Sequence, residues 1–225
     1  ILPQIVNFLL LPFYSTVLDK KEYGIISSVE MYTYIISIFM CLCLDRAAQR
    51  FYFDEESLED KKRVLSTFFV SITVVAIIVY LTSFIFYSFF NSDTKEFYKL
   101  FYYGVVISML NSFSLIALSY YRLTENPKIY VLLKLSRFII NTLFIICALV
   151  WLEETGIAKI FADILSIAIM VPIYVIIIYS KIGLKFDINL LKKGLKYSIP
   201  FIPTILIAWV LTLSNRLFLE YYYDL

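Results

Sequence analysis

The segment IYVLLKLSRFIINTLFIICALVWL, residues 129–152, decides the fold expected for this chain. Most of its residues are apolar, and an α-helix of this length would be about 36 Å long at 1.5 Å per residue. That is enough to cross a hydrocarbon core about 30 Å thick. Two cations, Lys134 and Arg137, interrupt the run. Because a charge near the centre of a bilayer costs about 2.5–3.5 kcal/mol on insertion scales, their surroundings must compensate for it.

Apolar runs of similar length recur along the whole chain. Hydrophobic residues make up 61% of the 225 residues, and the mean hydropathy is +0.81. A water-soluble domain could not hide that much apolar surface. Strands of a membrane barrel would be about half as long and would alternate polar with apolar residues. The sequence therefore predicts an all-α, polytopic transmembrane helical bundle, with spans at 1–18, 25–44, 65–90, 100–121, 129–152, 157–179 and 199–219.

The basic residues of the loops predict an orientation. Twelve Lys and Arg residues fall in the loops that follow the second, fourth and sixth spans, whereas five fall on the opposite side. Because loops rich in Lys and Arg stay in the cytoplasm, the N-terminus is expected to be cytoplasmic.

Two loops on the basic side have a pattern of their own. In DEESLEDKKR, Ser57 and Asp60 match a capping box, and acids precede cations, so a short helix is expected there. LKFDINLLKKGLKYSIP mixes large apolar residues with Lys, which is typical of an amphipathic segment at the membrane interface. It divides the chain into a six-helix lobe at 1–180, an interfacial linker at 181–198 and a further helix within 199–225.

Four polar residues form one stripe on the fifth span. Tyr130, Lys134, Arg137 and Asn141 are separated by four, three and four residues, a spacing that places them on one face of a helix. This face either packs against another helix and pairs with a buried acid, or lines a water-filled cavity that attracts an anion. We favour the cavity, because ionisable residues inside membrane spans usually mark a pathway.

Further charged residues lie within or at the ends of the spans. Arg46 and Arg50, one turn apart at the basic-side end of the second span, are predicted to join the stripe in binding an anionic substrate. Glu30 and Asp163 each form either a structural ion pair or a titratable site that couples ion movement to transport. Lys159 lies one turn before Asp163 and can neutralise it.

Motifs for catalysis, metal binding or nucleic-acid binding are missing from the sequence. It contains no His, which removes the commonest general base and metal ligand. The five glycines are scattered and form no phosphate-binding loop, and no basic block suggests nucleic acid. The three cysteines lie within predicted spans and are expected to be packing residues. We therefore expect no catalytic residues, no metal site and no bound cofactor, and a function other than an enzyme's.

Four segments together resemble one family of membrane proteins. They are LLLPFYSTVLDKKEYGIIS, AAQRFYFDEESLEDKKRVLST, YRLTENPKIYVLLKLSRFIIN and LLKKGLKYSIPFIPTILIAWVLTLSNRLFL, which occur in the family's order along the chain. The chain resembles the Wzx-type oligosaccharide flippases, polysaccharide-biosynthesis proteins of the MOP superfamily. Family members often have Asp-Arg where this chain has Asn215 and Arg216, which puts a local ion pair in doubt.

The resemblance implies two six-helix lobes around a central cavity, of which this chain would be the first lobe and the opening helix of the second. It implies alternating access that moves a polyprenyl-pyrophosphate-linked oligosaccharide from the inner to the outer leaflet of the bacterial cytoplasmic membrane. Because uphill transport needs an energy source, we expect a proton or a sodium ion as the coupling ion. The implied partners are the lipid-linked oligosaccharide, the phospholipid bilayer and a glycan polymerase. Arg137 suits a pyrophosphate, because its planar fork binds such groups through two hydrogen bonds.

Three other functions compete with this expectation. A multidrug antiporter of the same superfamily often carries cations, so acids should dominate its cavity, whereas the deepest stripe here is basic. A membrane-embedded glycan polymerase or ligase needs a large outer loop with catalytic groups, and the predicted loops are short. A scaffold without transport activity has no reason to place Arg137 and Asn141 deep on one face.

Overall fold

The computed structural model describes residues 19–89, 95–151 and 155–211. Within these ranges the regular elements are helices, which confirms the all-α bundle. We number them α1 (Lys20–Cys41), α2 (Leu44–Asp54), α3 (Leu58–Phe89), α4 (Lys95–Leu123), α5 (Pro127–Trp151), α6 (Thr155–Ile177), α7 (Ile188–Ser198) and α8 (Phe201–Leu211), and a π-helical turn, Ile178–Ile182, extends α6.

Five helical segments are long and apolar enough to cross a membrane, and a sixth arises if α7 and α8 form one broken span. The five are Lys21–Asp54, Leu58–Ser88, Tyr98–Leu123, Pro127–Ala148 and Gly156–Ile182. They correspond in order to the second to sixth predicted spans. The first predicted span, 1–18, and the end of the seventh, 212–219, lie outside the described residues, as do Asn215 and Arg216.

The first described span is interrupted by a break between α1 and α2. Leu42 and Cys43 both adopt left-handed backbone conformations, with φ angles of 47° and 54°. Such conformations cost L-residues about 1–2 kcal/mol each. The N–H of Leu42 still bonds to the carbonyl of Ile38 at 2.9 Å, and the N–H of Arg46 bonds to that of Cys43 at 3.1 Å. The helical path therefore continues to Asp54, ten residues beyond the predicted end of the span at residue 44.

Local capping signals in the sequence fix several helix starts. The Ser57 hydroxyl accepts a hydrogen bond from the Asp60 N–H at 3.1 Å and donates one to the Asp60 carboxylate at 2.6 Å, which confirms a cap at Ser57. The expectation of a separate short helix was wrong, because α3 continues unbroken from this cap for 32 residues. Pro127 begins α5, where its missing N–H costs nothing.

Helix α4 lies at the centre of the bundle and contacts α1, α3, α5 and α6. It approaches α1 closely at Gly104, where an added Cβ atom would lie 2.9 Å from the Cβ of Tyr32. Helices α1 and α5 flank the pair α4 and α6 but do not pack extensively against each other. The space between α1 and α5 is therefore left open as a cavity, and residues of α4 and α6 line its remaining wall.

The predicted linker forms the amphipathic helix α7. Asp187 caps it by accepting hydrogen bonds from the N–H groups of Asn189 and Leu190. The face that carries Leu191 and Leu195 packs against the core that α2 and α3 contribute, and Lys192, Lys193 and Lys196 are exposed on the other side. Helix α8 follows at an angle of 41°. The division into lobe, linker and second lobe stays a prediction.

Candidate functional site

A cavity of about 770 Å³ opens between α1 and α5. This volume falls within the range of small-molecule sites, about 300–1,000 Å³. Its polar lining comes from four helices. The polar residues are Tyr23, Ser27, Glu30, Thr33, Tyr34 and Ser37 of α1, Asn111 of α4, Lys134, Arg137 and Asn141 of α5, and Lys159, Asp163 and Tyr174 of α6.

The stripe on α5 faces this cavity for most of its length. Lys134, Arg137 and Asn141 all line it, as their spacing predicts. Tyr130, the fourth member of the stripe, is not among the lining residues, but the ammonium group of Lys134 lies 4.9 Å from the centre of its ring. Tyr130 therefore contacts a cavity residue through a cation–π interaction.

Arg137 is held by uncharged partners. Its Nη2 donates to Oδ1 of Asn111 at 2.6 Å, and its Nη1 lies 3.4 Å from the hydroxyl oxygen of Ser114. Both partners lie one turn apart on α4. Across the described ranges 19–89, 95–151 and 155–211, no carboxylate lies within 4 Å of Arg137. A half-buried guanidinium group with neutral partners retains its full positive charge and can attract an anion.

A second polar cluster joins three helices around Lys159. Its ammonium group lies 2.7 Å from the Glu30 carboxylate on α1 and 3.3 Å from the Asp163 carboxylate on its own helix. The amide of Asn141 donates to the other oxygen of Asp163 at 2.7 Å and to the Ser166 hydroxyl at 3.0 Å. The cluster therefore connects α1, α5 and α6.

The charges of the cavity are segregated along the helix axes. Lys134 and Arg137 lie toward the end of the bundle where α5 begins, and neither forms an ion pair with a described carboxylate. Toward the other end, Lys159 is shared by Glu30 and Asp163, so that this cluster carries a formal charge of −1. One part of the cavity is thus cationic and the other weakly acidic.

Glu30 and Asp163 were expected either to form structural ion pairs or to couple ion movement to transport. The structure brings both carboxylates to the same lysine. Lys159 is only 12% exposed, whereas the Glu30 side chain is 61% exposed and so remains accessible from the cavity. The ion pairs do not exclude a coupling role, which stays a prediction.

Arg46 and Arg50 lie apart from the cavity lining. The guanidinium carbon of Arg46 lies 5.1 Å from the centre of the Phe201 ring on α8. Arg50 forms an ion pair with Asp54 at 3.5 Å, and both side chains are more than half exposed. The structure therefore does not bring these two arginines together with Arg137.

Sequence reasoning missed several residues on other helices that line the cavity or hold its side chains in place. Asn111 and Ser114 have the spacing of one helix face, but nothing local marks their face as the one that meets Arg137. Tyr174 is fully buried at the cavity, and its hydroxyl has no hydrogen-bond partner within the described residues. Lys159 was noticed only as a neighbour of Asp163, although its helical spacing and its place inside a span were sufficient signals.

The described part of the chain contains no group of three or more His, Cys, Asp or Glu residues that could hold a metal ion. Cys41, Cys43 and Cys147 are free thiols. Comparisons of the chain with protein-family models, with curated proteins and with solved structures found no match.

Proposed function

We propose that this chain is part of a transporter that moves a polyprenyl-pyrophosphate-linked oligosaccharide from the inner to the outer leaflet of a bacterial cytoplasmic membrane. In this proposal the N-terminus is cytoplasmic and the protein acts by alternating access, with no catalytic step of its own. The cavity between α1 and α5 receives the head group while the lipid tail stays in the bilayer. The observation that carries the proposal is that Lys134 and Arg137 line this cavity with no carboxylate among the described residues within 4 Å of either cation.

A pyrophosphate must leave water to cross a membrane, so its site has to replace lost hydration with strong hydrogen bonds. Arg137 can supply them, because Asn111 and Ser114 fix its plane through two of its nitrogens and leave other N–H donors free. Lys134 lies one turn away on the same face and adds a second charge. The many aromatic residues of the chain are compatible with contacts to sugars.

Uphill transport needs an energy source, and Glu30 and Asp163 are the carboxylates of the cavity that can bind a proton or a sodium ion. Protonation of either one would weaken its bond to Lys159. Because Glu30 is on α1 and Asp163 is on α6, such a change would alter the connection between two helices. We therefore propose that ion binding at this cluster is linked to the opening of the cavity.

A multidrug antiporter is a weaker candidate on these observations. A cationic drug needs a cavity with a surplus of negative charge, but three cations and two carboxylates line this one. The cationic part of the cavity would also repel such a substrate. The acidic cluster therefore fits a coupling ion better than a cationic cargo.

The test is a flipping assay on the full-length protein in liposomes, with the lipid-linked oligosaccharide as substrate. Arg137→Ala should lower the flipping rate by about 100-fold, and Arg137→Lys should recover only part of it, because an ammonium group cannot replace the bidentate fork. Arg122→Ala is the matched control, since Arg122 is exposed and is not among the cavity-lining residues. If both Arg137 variants flip substrate at the wild-type rate, the proposed anion site is wrong.

The coupling role is tested separately by the ion dependence of transport. Glu30→Gln keeps the size of the side chain and removes its titration, so the dependence of the flipping rate on pH or on sodium should flatten. An unchanged dependence in Glu30→Gln and in Asp163→Asn would remove both residues as coupling sites while leaving the anion site intact.

A further inference from the structure

Helix α1 carries a polar stripe of its own on the side of the cavity opposite α5. Tyr23, Ser27, Glu30, Tyr34 and Ser37 are separated by four, three, four and three residues, so they share one helix face. All five line the cavity. The cavity therefore lies between two stripes of different chemistry, which are basic on α5 and aromatic, hydroxylic and acidic on α1.

The two tyrosines of this stripe are open to the cavity. Tyr23 is 49% exposed and Tyr34 is 46% exposed. Within the residues that the structure describes, neither ring stacks on another aromatic ring. Tyr34 lies about 21 Å along the helix from its start at Lys20, which is too deep for the aromatic belt at a membrane surface. An interfacial anchor therefore does not explain Tyr34.

This combination of side chains suits an uncharged polyhydroxylated ligand. Aromatic faces pack against the C–H faces of sugar rings, while tyrosine and serine hydroxyls and a carboxylate exchange hydrogen bonds with sugar hydroxyls. The stripe on α1 contains no cation, so it has no attraction for phosphate. Glu30 keeps acceptor sites for such hydroxyls, since its side chain is largely exposed although one oxygen accepts from Lys159.

We propose that Tyr23, Ser27 and Tyr34 form a carbohydrate subsite on α1 that binds sugar rings while Arg137 and Lys134 bind the attached diphosphate. This inference rests on the proposed function, because it assigns the two parts of one glycolipid head group to the two sides of the cavity. Arg137 and Lys134 bind the diphosphate of any carrier lipid, with or without a sugar. The subsite on α1 increases the binding affinity only when a sugar is attached.

The test measures binding to the full-length protein in detergent micelles by native mass spectrometry or microscale thermophoresis. One probe is polyprenyl diphosphate without sugar, and the other is the same lipid diphosphate carrying one neutral hexose. The double variant Tyr23→Ala/Tyr34→Ala should bind the glycosylated probe about tenfold more weakly than wild type and the sugar-free probe equally well. Tyr23→Phe/Tyr34→Phe keeps both rings and should retain most of the affinity. Tyr179→Ala is the control, because Tyr179 is 71% exposed and is not among the cavity-lining residues.

The outcomes separate this proposal from the proposed function. If the double alanine variant binds the glycosylated probe as tightly as wild type, or loses both probes equally, the subsite on α1 is overturned. In those cases the anion site would still be supported if Arg137→Ala weakened the binding of both probes. If wild-type protein binds neither probe, the proposed function fails and the subsite fails with it.

Discussion

The guanidinium group of Arg137 donates a hydrogen bond of 2.6 Å to the side-chain oxygen of Asn111 on the neighbouring helix. An amide at this place orients the arginine without neutralising it. A carboxylate would orient it equally well but would cancel its charge. The pairing with Asn111 therefore preserves a positive charge inside a predominantly apolar bundle, which is what an anion site requires.

The substitution Asn111→Asp tests this relationship, because it changes charge but hardly changes size. A carboxylate about 4 Å from the arginine charge interacts with it by about 4 kcal/mol at an effective dielectric constant of about 20. The introduced carboxylate competes with a bound anion for Arg137. If a third of that interaction energy is lost from anion binding, the affinity falls about tenfold. We expect a loss of this size or greater in the binding of polyprenyl diphosphate, with no loss of thermal stability.

Asn126→Asp is the matched control for this experiment. Asn126 lies in the exposed turn between α4 and α5, away from the cavity, and undergoes the same chemical change. It should bind the probe as wild type does. Equal affinities in Asn111→Asp and wild type would mean that the charge of Arg137 does not contribute to anion binding.

The sequence was sufficient to predict the stripe on α5, because residues three and four apart on one rigid helix must share a face. The bonds from Arg137 to Asn111 and Ser114 could not be predicted, since they depend on the rotation of α4 relative to α5. The same is true of the bond between Glu30 and Lys159, which are 129 positions apart. Helix periodicity fixes faces within an element, whereas tertiary packing decides which faces meet.

The position of Arg46 shows a second limit of the sequence. The second span was expected to end at residue 44, with Arg46 and Arg50 just beyond its end and binding an anionic substrate together with the stripe on α5. Instead the helical path continues to Asp54 after the break at Leu42 and Cys43. No glycine or proline marks this break, so turn chemistry gave no signal for it.

The break between α1 and α2 yields a prediction on stability. Cys43 is buried and holds a left-handed conformation with a φ angle of 54°. Glycine adopts that conformation freely, so relief of the backbone strain in Cys43→Gly should raise the free energy of unfolding by about 1 kcal/mol. The loss of the buried side chain should offset part of this gain. Cys43→Val should destabilise the protein by more than 1 kcal/mol, about the cost of such strain for a β-branched residue.

Thermal unfolding of the two Cys43 variants in detergent checks the order of their stabilities. We expect the valine variant to have the lowest midpoint and the glycine variant to lie near or above wild type. If valine is tolerated as well as glycine, the left-handed backbone at Cys43 is not a constraint on the fold.

The packing of α7 against the bundle gives a third prediction. Gly194 faces the Phe68 ring so closely that an added Cβ atom would overlap ring atoms. Phe68 is fully buried and cannot move aside easily, so Gly194→Ala should weaken the docking of α7 by about 1–3 kcal/mol. Faster hydrogen exchange of the amides in residues 188–198 would report this loss.

Gly24→Ala is the control for the substitution in α7. Gly24 also lies inside a helix, but a Cβ atom there would meet nothing within 4 Å. Alanine should therefore stabilise α1 by about 0.5–1 kcal/mol through helix propensity alone. Equal effects at Gly194 and Gly24 would contradict close packing between α7 and Phe68.

The cluster around Lys159 predicts a ranking of substitutions. Lys159→Met leaves Glu30 and Asp163 without their shared cation, and the largely buried Asp163 cannot recover full hydration. Removing one partner of a buried ion pair costs about 3–5 kcal/mol, but the exposure of Glu30 reduces this to about 2 kcal/mol here.

Glu30→Gln, which leaves Lys159 its bond to Asp163, should cost less than 1 kcal/mol, about the value of an exposed pair. The triple variant Lys159→Met/Glu30→Gln/Asp163→Asn removes all three charges together and should regain most of the stability lost in Lys159→Met. Urea unfolding of wild type and the three variants in mixed micelles measures the ranking. A triple variant no more stable than Lys159→Met would show that the stability lost in Lys159→Met does not come from the two carboxylates left without a cation.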